Sequence, residues 1–198
     1  MSGINTKKMF WINEPKKYEI SDEKIEIVTE PGTDFWQNTY YNFVHDNAHV
    51  LLLKTEEKYF SFTVKAEFNS GALFDQCGLA IYQDSENWVK AGIEFHDNNT
   101  QWLGSVVTNY GYSDWATTDI GAAVNSMWYR ISRRESDYCL ENSYDGICFE
   151  QMRIFHLFKG DGVINFGLLA CSPSEASFNA AFTNLEITEC KWKAHEEL

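Results

Sequence analysis

Apolar and polar residues alternate along much of this chain. Between Tyr59 and Phe68, the residues Phe60, Phe62, Val64, Ala66 and Phe68 fall on one face, and Tyr59, Ser61, Thr63, Lys65 and Glu67 on the other. A period of two marks a half-buried β-strand, because successive side chains of a strand point to opposite sides of its sheet. Comparable runs predict strands at Cys77–Gln83, Trp88–His96, Trp102–Tyr110, Met127–Arg134, Tyr138–Ser143, Ile147–Ile154, Val163–Cys171 and Phe178–Thr188. Turn-forming residues separate them, among them Asp84-Ser85-Glu86-Asn87, Asp97-Asn98-Asn99, Tyr144-Asp145-Gly146 and Lys159-Gly160-Asp161-Gly162. In the third of these, Gly146 stands where the backbone needs positive φ. No long run carries a helical stripe, so little helix is expected. Many strands without helices between them predict an all-β fold of two packed antiparallel sheets, a β-sandwich of jelly-roll type. No repeat or linker divides the chain, so residues 1–198 are expected to form one domain. The charged tail from about residue 191 should fray.

The same alternation points to a site. In Asn87–His96, the residues Val89, Ala91, Ile93 and Phe95 make a continuous apolar face that must go to the core. Trp88, Lys90, Gly92, Glu94 and His96 are then forced to the other side. Gly92 leaves bare backbone between a cation and an anion, which marks the close approach of a ligand or of another backbone. In Met127–Ser132, Trp128, Arg130 and Ser132 share one face and Met127, Tyr129 and Ile131 the other. With the first of these faces outward, Arg130 would join Lys90 and Glu94 in one hollow. Alternation alone leaves that choice open, and the opposite one would put Tyr129 on the site. Asn109–Trp115 reads as an aromatic loop over the same face, bringing Ser113, Asp114 and Trp115.

A few convergent polar groups among aromatic rings describe a small-ligand pocket. Arg and Lys donate to hydroxyl or carboxylate oxygens, Glu accepts from hydroxyls, and Trp faces stack on the apolar faces of sugars. The competing reading is an ion pair of Glu94 with Lys90 or Arg130 on a solvated sheet face.

Composition narrows the partners. The 198 residues hold 16 Lys and Arg against 29 Asp and Glu, a net charge of −13, which repels phosphate backbones and anionic lipid. Neither nucleic acid nor a membrane surface is therefore expected as a partner. The N-terminal stretch lacks the apolar run of a signal peptide, which points to the cytoplasm. Cys77, Cys139, Cys148, Cys171 and Cys190 show no C-x-x-C spacing and read as free, mostly buried thiols in a reducing compartment. His45 and His49 flank the turn-forming Asp46-Asn47 with no third ligand at metal-site spacing, so no metal or other cofactor is expected. Glu135, Asp137 and Glu141 approximate the paired carboxylates of sandwich-fold glucanases. They depart from that pattern by one residue and begin in a hairpin turn, which could not hold a nucleophile on a sheet floor.

The segments Gly78-Leu79-Ala80-Ile81-Tyr82, Glu86–Phe95, Ser105-Val106-Val107-Thr108, Tyr112-Ser113-Asp114-Trp115 and Trp128-Tyr129-Arg130 resemble, in order and spacing, the DUF1349 (YesU-like) family of unknown function, which includes a yeast regulator of enolase. The resemblance runs from about Phe35 to Thr188. It implies a concanavalin A-like lectin/glucanase sandwich and places family motif positions at Trp88, Lys90, Gly92, Glu94, Ser113, Asp114, Trp115 and Arg130. No established reaction comes with it. Three functions are expected to compete: a binder of a carbohydrate or small polar metabolite, a sugar-active enzyme such as a glycoside hydrolase using Glu94, and a regulatory protein binding a metabolic enzyme such as enolase.

Overall fold

The computed structural model describes residues 4–193. Nearly all of the regular structure is β. Among the described residues the one helical element is a single 3₁₀ turn at Thr6–Lys8. A first antiparallel sheet runs in the order β1 (Phe10–Ile12), β6 (His49–Thr55), β15 (Ile164–Cys171), β8 (Gln76–Asp84), β9 (Asn87–Phe95), β10 (Thr100–Asn109) and β11 (Tyr112–Gly121). A second runs β14 (Glu150–His156), β13 (Asp137–Ser143), β12 (Ser126–Arg134), β7 (Tyr59–Phe68), β16 (Asn179–Glu189), β3 (Lys24–Val28) and β2 (Lys17–Ile20). A two-stranded ribbon, β4 (Phe35–Gln37) and β5 (Val44–Asp46), stands apart from both. The two sheets make a β-sandwich, as the alternation required.

Between the sheets lies the main core, where Phe62, Val64, Tyr129 and Phe182 of the second sheet meet Leu79, Val89, Ile93, Phe166 and Leu168 of the first. A second apolar cluster lies on the outer face of the first sheet. There Val50, Leu52, Ala80, Trp88, Val106 and Leu169 are covered by Phe35 and Trp36 of the ribbon. The ribbon therefore buries a face that alternation assigned to solvent, and nearly all of β9 is buried on both sides.

All nine predicted strands form, Tyr59–Phe68 at both ends and the others within three residues at each end. The reading of Asn109–Trp115 as a loop is corrected. Only Tyr110 and Gly111 turn, both with positive φ (50° and 76°), and Tyr112 begins β11. Two successive left-handed residues give the twist that suits a two-residue hairpin. Strand β11 escaped the pattern because it is an edge strand with few buried positions. Gly146 does take positive φ (74°), with the Trp128 ring packed where a side chain would stand. Of the expected fraying tail, Lys191 and Trp192 are docked: the Lys191 amide donates to Ser61 Oγ, and Arg134 donates to the Trp192 carbonyl. Residues 194–198 lie outside the described residues. Cys77, Cys139 and Cys171 are buried free thiols, while Cys148 is exposed. Among the described residues no helix is long and apolar enough to cross a membrane.

One end of the sandwich is closed by Arg133, which is fully buried. Its guanidinium donates to the carbonyls of Glu57, Glu135, Gly160 and Gly162 at 2.6–2.9 Å, tying three turns together. A lysine has one donor atom and cannot span that fork. Hydrogen bonds to charged groups are worth about 1.5–3 kcal/mol each. Arg133→Lys should therefore cost roughly 3 kcal/mol or more in urea denaturation. A loss below about 1 kcal/mol would show that other contacts hold these turns.

Candidate functional site

The site is built on β9. Because Val89, Ala91 and Ile93 face the core, Lys90 and Glu94 must emerge on the outer face, beneath the ribbon. Gly92 lies between them, in register with Gly78 on one side and Gly104 on the other. A Cβ at Gly92 would stand 2.0 Å from the Cys77 carbonyl oxygen, so here it is another backbone, not a ligand, that requires glycine. Gly104 serves the site differently. A Cβ there would lie 2.5 Å from the Glu94 carboxyl, so the missing side chain is the space into which Glu94 leans. Leaning across β10, Glu94 reaches β11, where Trp115 Nε1 donates to its Oε2 at 3.1 Å.

The ribbon supplies the facing wall. Asp34, just before β4, accepts from Lys90 Nζ at 2.7 Å through Oδ1, which also accepts from the amide of Phe35 at 2.8 Å. The ribbon's hairpin is held in place from below: the Gln37 amide donates to Ser113 Oγ at 2.9 Å, and Asn38 Nδ2 donates to the Gly111 carbonyl at 2.8 Å. Asn38, Tyr40 and Asn42 all adopt positive φ (52°, 62° and 55°), a conformation that costs energy for a tyrosine and is kept only where surroundings enforce it.

Between ribbon and sheet lies a cavity of about 390 Å³, within the range of small-ligand pockets. Its walls are aromatic. Trp36 and Phe74 meet Trp115 edge-on at interplanar angles of 84° and 72°, and Tyr41 and Phe43 form an exposed lip. The polar groups reaching it are Asp34, His45, Gln76, Lys90 and Glu94.

Burial governs the electrostatics. It works against the Lys90 ammonium, but the Asp34 and Glu94 carboxylates outweigh it and hold Lys90 above the usual lysine range. Glu94 is 4% exposed, and burial pushes its carboxyl up to about 7. The Lys90 charge pulls that value down and the Asp34 charge pushes it up, while the indole hydrogen bond of Trp115 pulls it down. Lys90 is thus committed to Asp34, whereas Glu94 has one neutral donor. Among the described residues no cation stands within salt-bridge distance of Glu94, and its Oε1 accepts no hydrogen bond.

Of the residues singled out from the sequence, Lys90, Glu94 and Trp115 converge on this cavity. Trp88 lies beneath it, buried against Phe35 with ring centroids 5.3 Å apart, and does not line it. Ser113 is buried and supports the ribbon and Thr108. Asp114 points away, its side chain 74% exposed and ion-paired with Arg153 at 2.5 Å. Arg130 is the largest correction. It belongs to the second sheet, where it grips Glu141 with two hydrogen bonds of 2.7 Å and lies over the Phe149 ring. Tyr129, the alternative on that strand, is in the core. Neither can meet Lys90, because β12 pairs with β7 and β13 and the whole sandwich separates its outer face from that of β9.

The aromatic segment from Asp34 to His45 was missed, together with Phe74 and Gln76. The density of rings in Phe35-Trp36 and Tyr40-Tyr41-Asn42-Phe43 was the available signal, but it has no period. His45 and His49 do not form a pair. His49 is buried, accepting from the Glu30 amide at Nε2 and donating from Nδ1 to the Asn13 carbonyl, while His45 borders the cavity. Glu135 sits in a hairpin turn with φ 57° and Glu141 on Arg130, so the glucanase-like carboxylates are apart from the cavity.

Comparison with known proteins agrees with this architecture. The model of a family described as "Protein of unknown function (DUF1349)" matches residues 11–190. "Regulation of enolase protein 1" of Saccharomyces cerevisiae is 30% identical over 188 residues, covering 95% of this chain and 93% of that protein. A crystal structure of a functionally unknown protein from Saccharomyces cerevisiae superposes with a TM-score of 0.86 at 28% identity, covering 94% of this chain and 98% of the other. A GH43 protein from Bacillus licheniformis shares the fold over 95% of this chain and 38% of its own, with a TM-score of 0.73 at 13% identity.

Proposed function

We propose that this chain, which belongs to the DUF1349 family, is a cytoplasmic single-domain module that binds a carbohydrate or small polar metabolite in the cavity above Lys90 and Glu94. The observation that carries this reading is Glu94. It is a buried carboxylate with an oxygen unclaimed by the protein, set in a cavity of ligand size among aromatic rings. That oxygen is not sealed among protein atoms but open to the cavity, where whatever enters can donate a hydrogen bond to it. A ligand hydroxyl or amino group would do so, with its apolar face against Trp36 or Trp115.

Catalysis by Glu94 fits less well. A carboxyl near 7 suits a general acid, but a hydrolase needs a second carboxyl. Asp114 is turned away, and Asp34 is neutralised by Lys90. Regulation of an enolase is the second reading, and it rests on the name of the yeast relative.

Thermal melting with sugars, sugar acids and phosphorylated metabolites tests the proposal on wild type, Gly104→Ala and Arg130→Ala. A ligand at 100 times its Kd adds about 2.7 kcal/mol of stability. The shift should appear in wild type and Arg130→Ala and vanish in Gly104→Ala, whose methyl group displaces the Glu94 carboxyl. An equal shift in Gly104→Ala, or no shift with any compound, would overturn it. In the latter case, co-sedimentation with purified enolase becomes the deciding measurement.

A further inference from the structure

We infer that the cavity selects ligands bearing a positively charged amino group, for which the Glu94 carboxylate is the counter-ion and the surrounding rings are the cage. The inference deepens the binding reading above and rests on it.

The buried charges around the cavity are two carboxylates and one ammonium. Asp34 and Lys90 close on each other at 2.7 Å and leave no net charge. Glu94 is the second carboxylate beside that one ammonium: it feels the Lys90 charge at a distance but, 4% exposed, has only the neutral Trp115 indole as a direct donor. A neutral hydroxyl would satisfy its free oxygen but leave the buried charge unbalanced. An ammonium would satisfy both, through a charge-assisted hydrogen bond.

The walls favour a cation as well. Trp36, Phe74 and Trp115 surround the carboxylate side of the cavity, with Tyr41 and Phe43 at its mouth. The faces of aromatic rings carry negative potential and attract cations within about 6 Å. At long range the chain carries a net charge of −13, which draws cations toward it and repels anions. Lys90 opposes a cationic ligand, but its charge is spent on Asp34.

Matched probes separate charge from shape: 2-phenylethylamine against 2-phenylethanol, and benzylamine against benzyl alcohol. Affinities are measured by isothermal titration calorimetry at pH 8, where both the Glu94 carboxyl and the amines are charged. Each cation should bind wild type at least about 10-fold more tightly than its neutral partner, equivalent to ~1.4 kcal/mol. The preference should disappear in Glu94→Gln and persist in Arg130→Gln. Neutral partners binding as well as the cations, a preference surviving in Glu94→Gln, or no binding of either cation at millimolar concentration would each overturn the inference. If sugars bind in the Gly104-dependent manner described above while no cation preference is found, the pocket reading stands and the charge inference alone falls.

Discussion

Glu94→Gln should make this protein more stable at neutral and alkaline pH. The Glu94 carboxyl sits at about 7 in the folded chain against 4.5 for an ordinary glutamate. Between those values the folded state holds the proton that the unfolded state has released, so stability falls as pH rises through the interval. The full cost is present above about pH 7 and absent below about pH 4.5. A difference of that size corresponds to about 3 kcal/mol. Glutamine keeps the acceptor for Trp115 Nε1 and carries no charge. In urea titrations across pH 4.5–8, the stability of Glu94→Gln relative to wild type should therefore grow by about 3 kcal/mol. Parallel profiles for the two proteins would show that Glu94 is not buried as an isolated charge. A residue that weakens its own fold at working pH is one whose retention calls for a function, and a bound cation would reverse the cost.

Lys90→Met should act in the opposite direction. Methionine preserves the apolar stem but leaves the Asp34 carboxylate facing Glu94 without its cation. Removing one partner of a buried ion pair costs about 3–5 kcal/mol, because the other charge is left uncompensated. Asp34 is 17% exposed at its side chain, which places the expected loss toward the lower end, at about 3 kcal/mol. Adding Asp34→Asn should restore most of it, because the neutral amide no longer needs a cation. A double-mutant cycle over the two positions measures this coupling directly. A single-variant loss under about 1 kcal/mol, or no rescue in the double variant, would show that the pair does not hold the ribbon to the sheet.

The two variants also separate the roles of the two carboxylates. Asp34 belongs to the frame, fastening the β4–β5 ribbon over β9 through Lys90. Glu94 is free of that duty, and its position depends on the space left by Gly104. The preference for a cation should therefore be lost in Glu94→Gln without loss of the fold, whereas Lys90→Met disturbs the fold and the site together.

Local alternation determined a great deal. Side chains of a strand must alternate between faces, so the pattern in Asn87–Phe95 alone put Lys90 and Glu94 on one side and Val89, Ala91 and Ile93 on the other. The same rule located β7 from Tyr59 to Phe68 at both ends. Which strands become neighbours is a different matter, because period two carries no information about pairing partners. Arg130 lies on a face as well defined as that of Lys90, yet long-range pairing of β12 with β7 placed it on the opposite side of the sandwich. Nor could periodicity show that an irregular aromatic segment, Asp34–His45, folds over β9 and turns an open sheet face into a half-covered aromatic cavity. The strand pattern by itself determined the sandwich and the direction in which Lys90 and Glu94 point. Only the tertiary structure decided that these two charges are buried, that Asp34 pairs directly with one and that the other has the Trp115 indole as its one side-chain donor among the described residues, because burial and charge pairing arise from segments distant in sequence.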